Sequence, residues 1–135
     1  MFKFPGKRPN NLGVNQGKLA ACPDSPNCVS SQCPSEDQQH YIEPLSYSSS
    51  SGQEAITQLK QVIQGMERTA IITEQGNYLY AEFTSKLMGY VDDVEFYVDE
   101  EQKVLHVRSA SRLGKSDLGV NRKRVEAIRE MMNKS

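Results

Sequence analysis

Two adjacent runs decide the fold: Tyr90-Val91-Asp92-Asp93-Val94-Glu95-Phe96-Tyr97-Val98 and, after a turn at 99–102, Lys103-Val104-Leu105-His106-Val107-Arg108-Ser109-Ala110-Ser111-Arg112. Both are rich in β-branched and aromatic residues, as strands are. Strand side chains alternate between faces, and opposed residues of an antiparallel hairpin point the same way. Val94 and Phe96 therefore share a face with Leu105 and Val107, which predicts a core. Asp93 and Glu95 share the other face with His106, Arg108 and Arg112, where cross-strand charge pairs contribute about 0.2–1 kcal/mol each. Asp92, Ser109 and Ser111 do not fit this division. Parity puts them on the apolar side, where a polar group needs a hydrogen-bond partner. Arg112 or Arg122 is the expected partner for Asp92, with a backbone turn as the alternative.

Working outward, Ser51-Gly52-Gln53-Glu54 is a capping box that starts a helix running to about Gln64, with Gly65 as its stop. Ala55, Ile56, Leu59, Val62, Ile63 and Met66 form its apolar stripe. Strands are expected at 41–47, interrupted by Pro44 and hence at an edge, and at 68–73 and 78–85. A second helix is expected over 121–132, with Leu118, Val125, Ile128 and Met132 on one side; Ser116 or Asp117 is the alternative start. The expected fold class is α+β: an antiparallel sheet of four to five strands in the order β-α-β-β-β-β-α, with two helices covering one face. Residues 1–40 hold five of the six prolines, Pro5, Pro9, Pro23, Pro26 and Pro34, and read as an irregular Cys/Pro-rich arm. Residues 41–135 read as a single α+β domain.

The net charge of −1 hides a strong asymmetry: residues 1–35 carry +3, residues 36–101 carry −10 and residues 102–135 carry +6. Mutual neutralisation within one fold accounts for much of this. A near-zero net charge and no recognised module argue against nucleic-acid binding. No run approaches the ~20 apolar residues of a membrane span. The basic N-terminus has no apolar segment behind it, which predicts a cytoplasmic protein rather than an exported one.

Arg122-Lys123-Arg124 stands at the start of the second helix, where the partial positive charge of the helix end opposes cations. A nearby acidic patch (Asp92, Asp93, Asp117) or a bound anion offsets this. Gly114-Lys115-Ser116 looks like the end of a phosphate loop, but Ser109 stands where that motif needs its first glycine, so the motif is rejected.

Cys22-Pro-Asp-Ser-Pro-Asn-Cys28 is a compact turn-rich loop, with Cys33 five residues on. Three readings compete. One is a Cys22–Cys28 disulfide, which a reducing compartment opposes. Another is zinc held by Cys22, Cys28, Cys33 and His40, whose spacing is not the usual pair of closely spaced cysteines. The third is free thiols. No metal and no cofactor is expected.

Cys22–Ser31, Tyr90–Phe96, Arg108–Arg112 and Ser116–Glu126 together resemble a bacterial and plastid family known as domain of unknown function fourteen-ninety-nine. The resemblance covers about residues 20–132 and implies one whole domain. It implies no established activity. Many members look exported or lipid-anchored, which suits a Cys22–Cys28 disulfide; this chain lacks their export signal, and Cys33 falls outside the family motif. Signal-free versions are similar to those of cyanobacteria and plastids, which implies a photosynthetic host.

The leading functional reading is a small binding module. Asp92, Asp93, Arg108, Ser109, Ser111, Arg112, Asn121, Arg122 and Arg124 are the candidate ligand-binding residues, for an anionic small molecule or an acidic segment of a partner protein. The second reading is an enzyme using Asp92, Asp93 or Glu95 as acid or base on a phosphate- or carboxylate-bearing substrate. No nucleophile–base motif supports it. The third is a purely structural or assembly role.

Overall fold

The computed structural model describes residues 6–86, 89–113 and 119–134. The elements run β1 (Cys28–Ser30), β2 (Leu45–Ser46), α1 (Gly52–Gln64), β3 (Thr69–Gln75), β4 (Tyr78–Thr84), β5 (Val91–Asp99), β6 (Val104–Ser111) and α2 (Val120–Lys134). The class is α+β, and from β2 onward the order is the one that the sequence predicts. Six strands form one antiparallel sheet in the order β1-β6-β5-β4-β3, with β2 also pairing on β6. β1 is additional to the expected set. It is too short for its alternation to be seen, and it comes from within residues 1–40.

The β5–β6 register pairs Val94 with Ser109, Phe96 with Val107 and Val98 with Leu105, all on one face. Leu79, Ala81 and Phe83 of β4 extend that face, and α1 and α2 cover it with Ala55, Ile56, Leu59, Ile63, Val125, Ile128 and Met132. Val62 and Met66 of the predicted α1 stripe are only partly buried, at the margin of this core. Full burial of an aliphatic side chain of this size stabilises by about 1.5–3 kcal/mol, so this layer holds the fold together. Leu118, Ser116, Asp117 and the segment Gly114-Lys115-Ser116 lie outside the described residues.

α1 starts as its sequence indicates: Ser51 Oγ accepts from the Glu54 amide at 3.2 Å. Glu54 does not close the reciprocal half of a capping box; its Oε1 accepts instead from Ser50 Oγ at 2.7 Å. At the first helical position, a Cβ on Gly52 would lie 2.6 Å from Val98 Cγ1. That approach lets the helix start sit on β5.

Gly52→Ala is therefore expected to destabilise the fold by about 1–3 kcal/mol, the usual range for overpacking. Urea denaturation measures this, and combining it with Val98→Ala is expected to cost less than the sum of the two single changes.

Candidate functional site

Alternation along β5 sends its charges to both sides of the sheet, and each side builds its own polar cluster. On the helix side lies Asp92. Its Oδ2 accepts from Arg124 Nη2 at 2.7 Å, so its partner is Arg124, not Arg112 or Arg122. Arg124 Nη1 also donates to Asn121 Oδ1 at 2.8 Å, and Ser109 Oγ donates to the same oxygen at 2.6 Å. Asn121 Nδ2 donates to Ser111 Oγ at 2.9 Å and to the Asn27 carbonyl at 3.2 Å. Asn121 and Ser109 are fully buried. The three polar residues that parity puts on the apolar face thus meet two side chains from the first turns of α2. The guanidinium of Arg124 also stacks 5.0 Å from the Phe83 ring centre. This network fixes the angle at which α2 enters the core.

Arg122 has a different role. Its Nη2 lies 3.3 and 3.4 Å from the Gln38 and Gln39 carbonyls. Seven residues on, Arg129 binds the Pro44 and Glu43 carbonyls at 2.8 Å each. Two helical turns separate these residues, so both project from one side and clasp the segment between β1 and β2. Of the three cations that oppose the helix dipole, Arg122 is met by carbonyls and Arg124 by a carboxylate of the protein itself, while Lys123 is exposed.

The opposite face of the sheet is covered by residues 6–22. Here Arg112 grips Asp93 with two parallel bonds, Nε to Oδ2 at 2.9 Å and Nη2 to Oδ1 at 2.8 Å, and Nη2 also reaches Glu82 Oε2 at 2.6 Å. Asp93 raises the Arg112 pKa further above its ordinary value, against the opposing effect of burial. Tyr80 donates its hydroxyl to Asp93 Oδ1 at 2.5 Å, and Tyr78 donates to Glu95 Oε2 at 2.6 Å. Burial, reinforced by these carboxylates, pushes both phenols far above the usual tyrosine range, so they stay protonated donors. The arm supplies two further donors: Gly13 N–H to Glu95 Oε2 at 2.7 Å and Arg8 Nε to Glu82 Oε2 at 2.7 Å. Burial alone would raise the Glu82 pKa, but the hydrogen bonds from Arg8, Tyr80 and Arg112 outweigh it and lower it.

Arg108 is the exception in this layer. It is 5% exposed and stands directly across from Glu95, which is 0% exposed. Yet its Nη1 lies 3.9 Å from Glu95 Oε1, and its Nη2 bond to the Ala21 carbonyl is 3.3 Å long. Among the described residues, Arg108 Nε and Glu95 Oε1 are buried side-chain atoms without a hydrogen-bond partner. Burial dominates the electrostatics of Arg108 and lowers its pKa from the ordinary arginine value. Arg108 also lines a cleft of about 540 Å³ between arm and sheet, together with Lys7, Cys22, Asn27, Asp93, Ser111 and Arg112.

The nine candidate binding residues therefore do not form one site. Asp93, Arg108, Ser111 and Arg112 line the cleft; Asp92, Ser109, Asn121 and Arg124 form the network under α2, which Ser111 joins through its hydroxyl; Arg122 stands apart. The polar contributions of Tyr78, Tyr80 and Glu82 are additional. Parity along β4 carried that signal, since the three alternate with Leu79, Ala81 and Phe83. Arg8 and Gly13 had no local signal, because their role follows from where the arm lies.

Cys22 and Cys28 are joined in a disulfide, and Cys33 is free and half-buried. Two of the four zinc-ligand candidates are thereby committed to sulfur–sulfur bonding. Among the described residues, no group of three or more His, Cys, Asp or Glu side chains is arranged to hold a metal. Nor is any described helix long and apolar enough to cross a membrane. His40, the fourth candidate, is buried with both ring nitrogens facing acceptors: Nδ1 is 2.8 Å from Asp37 Oδ2, and Nε2 is 2.9 Å from the Ser25 carbonyl.

Residues 18–132 match the family described as "Protein of unknown function (DUF1499)". The chain belongs to this family. The match spans the disulfide loop and the sheet and helix residues of both polar clusters; it leaves out residues 1–17, Arg8 and Gly13 among them, and residues 133–135. No curated protein and no solved structure matches the chain significantly.

Two predictions follow from these contacts. Asn121→Leu removes the acceptor shared by the buried Ser109 hydroxyl and Arg124 Nη1 and the donor to Ser111 and Asn27, so it is expected to cost about 2–4 kcal/mol, measurable by denaturant unfolding. The Asp37 hydrogen bond, followed by the Ser25 carbonyl, raises the His40 pKa. A raised folded-state value stabilises the fold while the ring is protonated. That contribution is complete below about pH 6.5 and is lost as pH rises through the folded value. Melting curves from about pH 5 to about pH 8 are expected to show the wild type's advantage over His40→Gln shrinking as pH rises.

Proposed function

We propose that this domain is a small binding module whose ligand presents an anionic group to Arg108 in the cleft between arm and sheet. The observation that carries this reading is the contrast among the arginines. Arg112 and Arg124 have carboxylates at 2.6–2.8 Å, whereas buried Arg108 has its nearest carboxylate at 3.9 Å and an unpartnered Nε. An under-satisfied buried cation in the wall of a cleft is suited to a carboxylate or phosphate. Lys7, Arg108 and Arg112 against the single Asp93 leave the lining net positive. The volume, about 540 Å³, is that of a small-molecule site and favours such a ligand over a long acidic segment. An anion such as hydrogen phosphate supplies the acceptor that Arg108 Nε lacks.

The acid–base reading has less support. Asp92, Asp93 and Glu95 each accept short bonds from arginine, tyrosine or backbone donors. The Cys22–Cys28 bond supports an oxidising or redox-cycling compartment over a constantly reducing cytoplasm.

Titration calorimetry with inorganic phosphate, against chloride at matched ionic strength, tests the proposal. Saturable binding is expected in the wild type and a loss of at least about tenfold in Arg108→Lys, which keeps the charge facing Glu95 but removes Nε. Equal affinity in the two proteins, or no saturable binding in the wild type, contradicts it.

A further inference from the structure

Resting on that reading of the cleft, we infer that the Cys22–Cys28 disulfide is a redox latch on residues 6–22. Oxidised, it holds the arm down as one wall of the anion site; reduced, it lets the arm lift and the site disassemble.

The arm is built to be held by a latch. Among the described residues of 6–22, Leu19 is the one buried hydrophobic side chain, and it is not part of the main core. Polar attachments join Arg8 to Glu82, the Gly13 amide to Glu95, the Ala21 carbonyl to Arg108, the Cys22 amide to the Cys33 sulfur, and Gln32 to the backbone of Leu19 and Gly17, and Gly6 packs closely on Arg112 and Leu113. The surface beneath is polar too, formed by Tyr78, Tyr80, Asp93, Glu95 and Arg108. Water can solvate these groups once the arm lifts. Uncovering them is therefore far easier than lifting α1 from the apolar face, and the arm belongs to the low-stability end of the molecule.

The disulfide stands at the base of the arm. Cys28 is fully buried in β1 and paired with Ala110, while Cys22 lines the cleft. Their bond ties the mobile side of the cleft to the sheet. The loop beyond it has its own anchors, His40 to the Ser25 carbonyl and the Asn121 bond to the Asn27 carbonyl. These keep residues 25–28 seated after reduction but do not hold residues 6–22. Exchange with Cys33 would only move the disulfide, so opening to two thiols requires an external reductant. A dithiol supplies two electrons and two protons. The Cys22–Cys28 sulfur–sulfur bond breaks to two thiols, and the dithiol closes to its own disulfide.

Hydrogen exchange by mass spectrometry on the full chain, oxidised and after dithiothreitol, tests the latch without any ligand. Amides of residues 8–21, Gly13 among them, are expected to lose at least about tenfold protection on reduction while β5 and β6 keep theirs. Cys22→Ser/Cys33→Ser, which leaves buried Cys28 in place, is expected to exchange like the reduced protein. Unchanged protection in both overturns the latch. Phosphate titration of the two redox forms then tests the gating, with binding expected to weaken at least about tenfold on reduction. An arm that opens while neither form binds phosphate overturns the gating together with the anion reading. Phosphate binding that survives reduction with the arm open overturns the gating alone.

Discussion

The polar interior of this domain depends on the alternation of side chains along β5. Neighbouring residues Asp92 and Asp93 leave the strand in opposite directions, and each is buried. On a sheet with one solvated face, one of them would sit in water. Here helices cover one face and the N-terminal arm covers the other, so both carboxylates must find partners inside the protein. The sheet answers with two separate solutions: Asp92 joins Arg124, Asn121 and the β6 serines, while Asp93 joins Arg112 and Tyr80.

These clusters do different physical work. Breaking a buried ion pair from one side leaves an uncompensated charge, which costs more than the intact pair contributes. The Asp92 network therefore acts mainly on specificity, by allowing α2 only one seat on the apolar layer. The arm-side layer is softer, because its cover is polar and its donors can be exchanged for water. Within it, geometry distributes the carboxylates unevenly. Arg112 takes Asp93 and Glu82, Tyr78 and Gly13 take one oxygen of Glu95, and Arg108 is left with one long hydrogen bond and a distant carboxylate.

The α+β class, the order from β2 onward and the core positions Val94, Phe96, Leu105 and Val107 were legible because they follow from local periodicity, and the Ser51 cap because it follows from a local motif. The same parity exposed Asp92, Ser109 and Ser111 as residues in need of partners. It did not reveal which arginine answers, because the reach of Arg124 depends on how α2 packs, a tertiary property. β1 has three residues, too few for a period, and exists because β6 offers an open edge. The arm's position over Glu95 and Arg108 was not legible at all: Gly13 contributes a backbone amide, and no residue pattern marks the place where an amide will donate. Parity already separates Asp93, Arg108 and Arg112 from Asp92, Ser109 and Ser111; grouping all nine candidates into one site passed over that division, and a sheet with one cluster on each face is the physical outcome.

Protein carboxylates lie within 2.8 Å of the other arginines of these two clusters, whereas Arg108 has its nearest at 3.9 Å, the gap that the proposed anion would fill. Nitrogen-15 NMR of the arginine side chains tests this most directly, by following the Nε–H signals of Arg108, Arg112 and Arg124 as inorganic phosphate is added. The Arg108 signal is expected to shift and saturate while the other two stay within the drift produced by chloride at equal ionic strength. A stationary Arg108 signal, or three arginines that move together, would contradict it.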